Sequence, residues 1–314
     1  MNNSSPQMMI LGDWGTSVCR LYLCQFIDEQ LTVVDRKAGP GSKKDLDLEQ
    51  SFFNLCSDWL EEFGRVPVFL IGTVGSNIGW KLVPYVSCPT DQHQLLASAM
   101  SFDARGVPFT IFPGLSCQNR HKLPDVMRGE ETQIFGFLSQ QPNHPAEQLV
   151  CLPGTHTKWA LLEHDSISSF ITSPVGELFE VLSNHSVLLN PIDDDSWDQK
   201  GFSEGLDIGL SKTSNIIHTL FATRAKQVLN NQSNTQASCF LSGLLIGADV
   251  KAAMQDFHLF SNVVLIGSSK INSLYEVALN KLNIRTEHYT SEWATTCGLQ
   301  ALASERWKQL DERS

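Results

Sequence analysis

Short apolar runs separated by polar turns dominate the first forty residues of the chain. Residues 8–12 form an apolar run that ends in the segment DWGTS at 13–17, and apolar positions resume at 18–26 and 31–35. Runs of this length, bounded by turns that contain Gly, are typical of strands joined as hairpins. The pattern therefore predicts a meander of three strands whose first turn is the DWGTS segment.

The rest of the first half alternates between helical and strand-like periodicity. Apolar positions at helical spacing predict helices, and short apolar runs before turns predict strands. The helices predicted in this half cover 46–64, 91–101 and 128–139, and the strands cover 67–71 and 108–112. The segment GTVGSNIGW at 72–80 follows a strand and is predicted as a Gly-rich turn.

The second half repeats this organisation. Its predicted strands cover 149–152, 160–162, 167–172 and 260–266, and its predicted helices cover 176–189, 207–229, 239–254, 271–282 and a final segment around 295–299. A strand, a Gly–Thr turn and a second strand thus occur twice, near 10–25 and near 149–172. We expect two related α/β domains, 1–143 and 144–314, with the last helix packing back on the first domain.

Length, charge and cysteine content narrow the classes of function. A chain of 314 residues is long enough for two domains. Its net charge of −11 makes nucleic acids and anionic membranes poor partners, because these need fields of Lys and Arg. No run of about 18 apolar residues predicts a membrane span, and MNNSSPQMMILGDWG predicts no export signal. Eight scattered cysteines are typical of free thiols in a reducing compartment, so we expect a cytoplasmic protein.

Two turns that combine Gly with hydroxyl side chains are candidate phosphate sites. Gly lets the backbone approach a phosphate, whose oxygens accept hydrogen bonds from N–H and hydroxyl groups. The first turn follows Asp13, a carboxylate suited to holding Mg²⁺ directly or through water. The second is PGTHTK at 153–158, where Lys158 supplies positive charge. An ordinary hairpin turn explains either one alone, and the pair makes the stronger case.

A third motif, DVMRGEET at 125–132, places three carboxylates and Arg128 at the start of a predicted helix. A carboxylate there could accept a proton from a sugar hydroxyl, and an Arg could bind an anionic group. Helix capping is the alternative, since acidic residues in a first turn are common for electrostatic reasons. The surplus of carboxylates beside Arg–Gly favours a functional role.

The remaining Gly-rich segments exclude several enzyme classes. GTVGSNIGW could hydrogen-bond a polyhydroxylated ligand, with Trp80 as a stacking or packing wall. This segment fits neither G-x-G-x-x-G nor G-x-S-x-G, and the chain has no Walker A sequence, so a dinucleotide enzyme or a Ser hydrolase built on it is a poor interpretation. The turn at Gly267, with Gly243 and Gly247 on the preceding helix, could form an adenine platform, or the glycines could serve close packing.

Taken in order, these segments resemble those of a known enzyme family. DWGTS, GSNIGW, MRGEETQ, PGTHTKW, VGELFEVL and LSGLLIGADV resemble the 2-dehydro-3-deoxygalactonokinase family over residues 9 to 303. The resemblance implies an α/β chain of two ribonuclease-H-like, actin-like ATPase domains with a nucleotide cleft between them. It also implies that ATP phosphorylates the C6 hydroxyl of 2-dehydro-3-deoxy-D-galactonate in galactonate catabolism.

The resemblance further implies ATP and Mg²⁺ as cofactors and assigns roles to residues. Cofactor-binding candidates are Asp13 (also the Mg²⁺ holder), Gly15, Thr16, Ser17, Gly154, Thr155, Thr157, Gly267 and Ser268. Substrate-binding candidates are Gly75, Ser76, Asn77, Trp80, Arg128 and Lys158. Catalytic candidates are Asp125, Glu130 and Glu131. Asp125 is the first choice, because sugar kinases of this superfamily often use an Asp near the end of the first domain.

Three alternatives stay open at this point. The Gly–Glu–Glu helix start is similar to that of exopolyphosphatases, which would make the protein a phosphatase. The acceptor could be another 2-keto-3-deoxy sugar acid, or the protein could be a non-catalytic ATP-binding module. A sugar acid and ATP are the expected partners, and a homodimer is left open.

Overall fold

The computed structural model describes residues 7–27, 30–42, 47–189, 196–257 and 260–311. The start of the predicted helix at Leu46 lies outside these ranges. The chain divides into two compact units. Unit 1 comprises Met1–Ala146, Leu162–Ser169 and Ser291–Ser314, and unit 2 comprises Glu147–Leu161 and Phe170–Thr290.

The first 146 residues contain ten strands and four α-helices within the described ranges. The strands are β1 (Gln7–Trp14), β2 (Val18–Ile27), β3 (Gln30–Pro40), β4 (Val68–Gly72), β5 (Val86–Ser87), β6 (Thr90–Asp91), β7 (Met100–Ala104), β8 (Val107–Ile111), β9 (Leu115–Gln118) and β10 (Pro124–Met127). The helices are α1 (Leu48–Leu55), α2 (Ser57–Phe63), α3 (Gln92–Ala97) and α4 (Glu130–Ser139).

The main sheet of unit 1 has the strand order β3-β2-β1-β4-β8-β7. The predicted meander is confirmed, since β1, β2 and β3 pair antiparallel through the DWGTS turn. β4 then pairs parallel to β1, and β8 parallel to β4. Strands β1 and β4 are buried on both faces, as their near-continuous apolar sequences require. Their carboxyl ends lie side by side, which is where open α/β sheets bind ligands.

The later elements follow in the same alternation. The strands are β11 (Glu147–Leu152), β12 (Thr157–Glu163), β13 (Ser166–Ser173), β14 (Asn262–Gly267) and β15 (Arg285–Thr290). The helices are α5 (Val175–Asn184), α6 (Gln199–Leu210), α7 (Ile216–Thr219), α8 (Ala222–Asn230), α9 (Asn234–Asp256), α10 (Ser269–Asn280) and α11 (Ser291–Asp311). The sheet runs β15-β14-β11-β12-β13-β6, with β14 parallel to both β11 and β15. Its first five strands repeat the connectivity of the first sheet, which confirms the internal repeat.

Several element boundaries differ from the prediction. The helix predicted over 207–229 is wrong as one element, because residues 211–215 interrupt it. Asn215 caps α7, and the Lys251 ammonium group donates to the carbonyl oxygens of Ser211 and Ser214. These hydrogen bonds compete with helical ones, as Ser and Asn side chains do generally. The helix predicted over 91–101 stops at Ala97, before the strand β7.

Glycines on α6 and α9 let the two helices pack at close range. A Cβ added at Gly205 would overlap the carbonyl oxygen of Phe240, and one at Gly243 would overlap that of Phe202. Gly247 likewise faces the backbone of Leu206. The adenine platform proposed for Gly243 and Gly247 is therefore wrong, because both glycines face α6 and the packing alternative is correct.

The substitution Gly243→Ala is expected to destabilise the protein by about 1–3 kcal/mol, because neither the α6 backbone nor the α9 backbone can move away independently. Urea unfolding measures this loss. The exposed substitution Ala252→Gly on the same helix is the control, and it should cost about 1 kcal/mol from helix propensity alone. Equal losses for the two variants would contradict the close-packing account.

Helix α9 is long and apolar enough to span a membrane by length and composition, and it is the one helix within the described ranges that passes this test. Its apolar window is 67% buried inside the protein, which is typical of the core helix of a globular domain. The buried carboxylate of Asp249 lies within it, hydrogen-bonded to side chains of unit 2. These contacts identify α9 as the central core helix of unit 2.

Candidate functional site

The turns at the carboxyl ends of β1 and β4 form the first part of the site in unit 1. The backbone register pairs Asp13 with Ile71 and Trp14 with Gly72. Gly72 has φ +90°, and a Cβ there would lie 2.6 Å from the carbonyl oxygen of Trp14, so only Gly fits. The Thr73 hydroxyl donates to the same oxygen over 2.7 Å. The carboxyl ends of β1 and β4 are thus held in close contact beside the Asp13 carboxylate.

The start of α4 meets these strand ends through a second glycine with positive φ. Gly129 has φ +107°, and a Cβ built on it would lie 3.8 Å from the Cα of Gly72. Farther along, Gly136 and Gly298 allow α4 and α11 to cross in backbone contact. Helix α11 therefore holds α4 in place. The N-terminus of α4 is the positive end of the helix dipole, which favours nearby carboxylates.

Three carboxylates converge at this point of unit 1. Burial raises the pKa of Asp13 to about 6, the charge of Arg20 at 3.7 Å partly offsets this, and the charge of Glu130 raises it further. Burial and the Glu130 charge also raise the pKa of Glu131 to about 8. The charge of Glu130 thus acts on both Asp13 and Glu131, and buried carboxyl groups with raised pKa values are common in active sites.

Glu130 and Glu131 have different surroundings. Glu131 is 1% exposed and accepts hydrogen bonds from the Gly129 N–H at 2.7 Å and the Thr132 hydroxyl at 3.1 Å. Glu130 is only half-buried and accepts from the Arg128 N–H at 3.0 Å. Both carboxylates thus accept backbone N–H groups at the helix start, as helix capping predicts, and Glu130 is the more exposed of the two.

Glu131 should make the stability of the protein depend on pH. Its folded-state pKa, about 8, lies above its ordinary value of 4.5, so the folded protein holds a proton that unfolding releases. The stabilisation is complete below pH 4.5 and is lost as pH rises toward 8, where the dependence levels off. Thermal melts of wild type and Glu131→Gln between pH 6 and 8.5 test this. We expect the melting temperature of the variant to fall less than that of wild type as pH rises. Equal falls in the melting temperatures of the two proteins would contradict the assignment.

Arg128 ties the start of α4 to the GTVGSNIGW segment. Its Nη2 donates to the carbonyl oxygen of Val83 at 2.7 Å, and its guanidinium carbon lies 4.4 Å from the centre of the Tyr85 ring. A Cβ at Gly75 would lie 2.8 Å from Nη1, so this glycine makes room for the guanidinium. Nε and Nη1 are buried without a hydrogen-bond partner among the described residues. Such donors are costly unless a ligand pairs with them.

The other residues predicted from this segment lie in different surroundings. The Ser76 hydroxyl donates to the Thr73 carbonyl at 2.7 Å and closes the turn, while Asn77 is exposed. The Trp80 ring packs against Phe102 and Phe109, with centroids 5.4 and 4.7 Å away. Its packing role has structural support, and a substrate contact for it stays a prediction.

Asp125, the first choice for the catalytic base, lies five residues before Glu130 in the sequence. It sits on β10 of a separate three-stranded sheet, where its Oδ2 lies 3.5 Å from Asn119 Nδ2. Burial is the largest cause of the raised pKa of Asp13, and the charge of Glu130 adds to it. The choice between Glu130 and Asp125 as the catalytic base stays a prediction.

The first Gly–Thr turn is accessible at its tip. Thr16 and Ser17 are exposed, and the Gly15 N–H donates to the Val18 carbonyl at 2.9 Å. Gly41 packs against the Thr16 backbone. The turn thus presents two hydroxyl side chains next to Asp13, and its backbone is held in place by the Gly15 hydrogen bond and by packing against Gly41.

The second Gly–Thr turn lies between β11 and β12 in unit 2. Gly154, Thr155 and His156 are exposed, and the Thr155 carbonyl accepts from the Glu177 N–H at 3.0 Å. A Cβ at Gly176 would lie 2.7 Å from the Cα of Thr155, so α5 begins directly against the turn. The turn is therefore held rigidly while its tip stays accessible.

The side chains of Thr157 and Lys158 make structural hydrogen bonds next to this turn. Thr157 is 1% exposed; its hydroxyl oxygen accepts from the Gly154 N–H at 3.4 Å and lies 3.0 Å from the Tyr275 hydroxyl. Lys158 is buried, and its ammonium donates to the Thr172 hydroxyl at 2.8 Å. Their predicted contacts with phosphate or substrate stay predictions.

A cavity of about 750 Å³ opens beside the second turn. Gly154 lines it together with Ser268, the N-cap residue of α10, while Gly267 ends β14 just before. Its apolar walls include Phe179, Leu245 and Ile246. Apolar walls with a few polar groups are typical of small-molecule sites, and the volume suits a nucleoside.

Sequence reasoning missed several residues that build these sites. Gly72 and Gly129 supply the two backbone conformations that bring the strand ends to α4. Asp249 and Tyr275 form a buried network beneath the second turn. One signal was available for Asp249, a lone carboxylate within the apolar helix segment LSGLLIGADV.

Comparison with known proteins decides the family. The family model for 2-keto-3-deoxy-galactonokinase matches residues 13–302. The chain belongs to this family. It is 33% identical over 292 residues to the 2-dehydro-3-deoxygalactonokinase of Escherichia coli strain K12, covering 93% of this chain and 96% of the relative. The enzyme is accordingly a kinase, that is, a phosphotransferase, and the phosphatase and non-catalytic alternatives are set aside.

Solved structures agree with the family. One from Sinorhizobium meliloti, described as a 2-dehydro-3-deoxygalactonokinase, superposes with TM-score 0.85 at 28% identity and covers 95% of this chain and 99% of its own. The activator of the 2-hydroxyisocaproyl-CoA dehydratase from Clostridium difficile, solved with bound ADPNP, has TM-score 0.51 at 11% identity, covering 98% of both chains. The predicted fold class, the α/β fold of actin-like ATPases and sugar kinases, is confirmed.

Proposed function

We propose that this kinase transfers the γ-phosphoryl group of ATP to the C6 hydroxyl of 2-dehydro-3-deoxy-D-galactonate, giving the 6-phosphate used in galactonate catabolism. The observation that carries the proposal is the family match over residues 13–302, which includes both Gly–Thr turns and the start of α4. A relative of 33% identity bears the name of this activity.

Unit 2 is proposed to hold the nucleotide. The cavity beside Gly154 and Ser268 is apolar enough for a purine, and the exposed turn residues 154–156 suit the phosphates. Gly267 ends β14 directly before Ser268, which lines the cavity. The distant structural neighbour with bound ADPNP is consistent with a nucleotide site in this fold.

Asp13 is proposed to hold Mg²⁺. Its side chain is 23% exposed, and partial burial raises its pKa to about 6, so a cation would stabilise the charged form. Mg²⁺ is commonly bound by one or two carboxylates together with waters and substrate phosphates, so a single Asp in this position fits the ion. When bound, Mg²⁺ would neutralise charge on the transferring phosphate. Gly15, Thr16 and Ser17 would contribute hydrogen bonds from the neighbouring turn.

Glu130 is proposed as the group that orients the C6 hydroxyl and accepts its proton. It lies at the N-terminus of α4, is only half-buried, and its charge raises the pKa of Asp13. Glu131 is buried with its oxygens already hydrogen-bonded, so it positions the helix start. Asp125, the alternative base, lies on β10 beside Asn119.

Arg128 is proposed to bind the carboxylate of the sugar acid. Two of its buried N–H groups have no partner among the described residues, and a carboxylate is the group that pairs best with guanidinium. Tyr85, which covers the guanidinium, is 40% exposed and would rotate to admit the ligand. Asn77, exposed on the adjoining segment, would contact the sugar hydroxyls.

The proposed location is the cytoplasm. All eight cysteines are free thiols, five of them buried, as the sequence predicted. Free thiols of this kind are typical of a reducing compartment. The proposed partners are the sugar acid and ATP, and a homodimer is kept as a proposal.

A coupled assay of ADP release across a panel of 2-keto-3-deoxy sugar acids tests the proposed function. We expect release that requires both Mg²⁺ and the acid, with the highest kcat/KM for 2-dehydro-3-deoxy-D-galactonate. A higher kcat/KM for the C4 epimer would redirect the substrate assignment. No stimulation by any acid would overturn the kinase reaction proposed here.

A further inference from the structure

A buried chain of hydrogen bonds runs beneath the second Gly–Thr turn of unit 2. It begins at Asp249 in α9, whose Oδ2 accepts from the Tyr275 hydroxyl at 2.8 Å and from Trp159 Nε1 at 3.2 Å. It continues from Tyr275 to the Thr157 hydroxyl at 3.0 Å and from there to the Gly154 N–H at 3.4 Å. Three elements of the unit, α9, α10 and β12, are thereby joined to the turn.

The order of donors along this chain follows from the number of protons available. Tyr275 has one hydroxyl proton and gives it to Asp249, so Thr157 must donate its own proton to the Tyr275 oxygen. The Thr157 oxygen is then left as an acceptor for the Gly154 N–H. The buried carboxylate therefore sets the direction of every bond up to the turn.

The surroundings of Asp249 support this direction. Burial raises the pKa of its carboxyl group, whereas hydrogen bonds from Ser173, Tyr275 and Trp159 lower it, and all three partners are donors. Burial also raises the pKa of Tyr275 well above its usual value, so the phenol keeps its proton. A carboxylate surrounded by donors can only accept, which keeps the chain from reversing.

We propose that Asp249 is a positioning residue that, through Tyr275 and Thr157, holds the Gly154 turn in the conformation that binds the nucleotide phosphates. The inference rests on the proposed function, because it requires this turn to meet the phosphates. Asp249 itself does not line the nucleotide cavity, while Gly154 and Tyr275 do. Its effect on the nucleotide must therefore pass through the hydrogen-bond chain.

The test compares two probes, ADPNP and adenosine, by titration calorimetry on the full chain. The substitution Asp249→Asn supplies an amide that can donate to Tyr275 and reverse the chain, and Thr157→Val removes the hydroxyl with little change in shape. Each should weaken ADPNP binding by roughly three- to tenfold, the worth of about one hydrogen bond. Adenosine binding should stay unchanged, because the cavity walls are intact.

The substitution Trp159→Phe is the matched control. It also removes a buried hydrogen bond to Asp249, so it should lower the melting temperature, yet it leaves the links from Tyr275 to Gly154 in place. The ratio of ADPNP to adenosine affinity should equal that of wild type. In the double variant Asp249→Asn/Thr157→Val, the loss should not exceed that of either single variant, since both break one chain.

The outcomes separate the two proposals. A wild-type ratio of affinities in Asp249→Asn and Thr157→Val, or losses that add in the double variant, would overturn the positioning role alone. If Asp249→Asn does not fold, Thr157→Val decides by the same ratio. Wild-type protein that binds neither probe would overturn the proposed nucleotide site and the positioning role with it.

Discussion

Replacing Glu130 by Gln is expected to lower kcat by about 10²- to 10⁴-fold, the usual contribution of a general base. The amide still accepts the hydrogen bond from the Arg128 N–H, so the start of α4 should keep its conformation. The amide cannot take a proton from the acceptor hydroxyl. Nucleotide binding should be unaffected, because the proposed nucleotide cavity lies in unit 2. Steady-state kinetics with calorimetric ADPNP binding measure both properties.

The variant Asp125→Asn decides between the two candidate bases. It removes the same charge from a residue on β10, where the carboxylate contacts Asn119. We expect its kcat to stay within about threefold of wild type, the range of a lost surface hydrogen bond. A large loss in Asp125→Asn with near-normal turnover in Glu130→Gln would restore Asp125 as the base.

Replacing Asp13 by Asn is expected to lower kcat/KM by about 10²- to 10³-fold, the typical cost of removing one group that stabilises developing charge. The Mg²⁺ concentration needed for half-maximal rate should rise as well, because the neutral amide is a weaker ligand for a hard cation. The fold should tolerate the change, since Asn has the same shape and relieves the cost of a buried charge. Mg²⁺ titrations of the initial rate measure the effect.

A charge-matched control for this variant is Asp103→Asn. Asp103 is an exposed carboxylate of unit 1 that pairs with Arg65 at 3.7 Å. Its removal changes net charge equally, and exposed ion pairs contribute little, so rate and Mg²⁺ dependence should match wild type. An Asp13→Asn variant with unchanged Mg²⁺ dependence would remove Asp13 from the metal site.

The sequence predicted the parts of the fold that local patterns encode. The meander around DWGTS and the strand before PGTHTK follow from alternating apolar runs and turn residues, and both are present. Strand β15 was missed because its sequence, RTEHYT, is polar and only its backbone pairs with β14. The break at 211–215 was missed because the apolar periodicity continues on either side of it.

The candidate site was predictable only in part, because residue type does not reveal which residues lie close together in the folded chain. The Gly–Glu–Glu start of α4 was singled out by composition, but only the backbone at Gly72 and Gly129 brings it to Asp13. Asp125, five residues earlier, was the first choice from the sequence, and the structure places it on β10 of the three-stranded sheet, whereas Asp13 lies in the six-stranded one. The link from Asp249 to Thr157 spans 92 positions and leaves no local pattern.

The most direct measurement is the position of the phosphate on the product. Incubation of the enzyme with ATP, Mg²⁺ and 2-dehydro-3-deoxy-D-galactonate, followed by ³¹P and ¹³C NMR, should give ADP and a single phosphomonoester at C6 in equal amounts. Free inorganic phosphate in place of the ester, phosphate on another hydroxyl, or ATP that is unchanged in the presence of the acid would contradict the account.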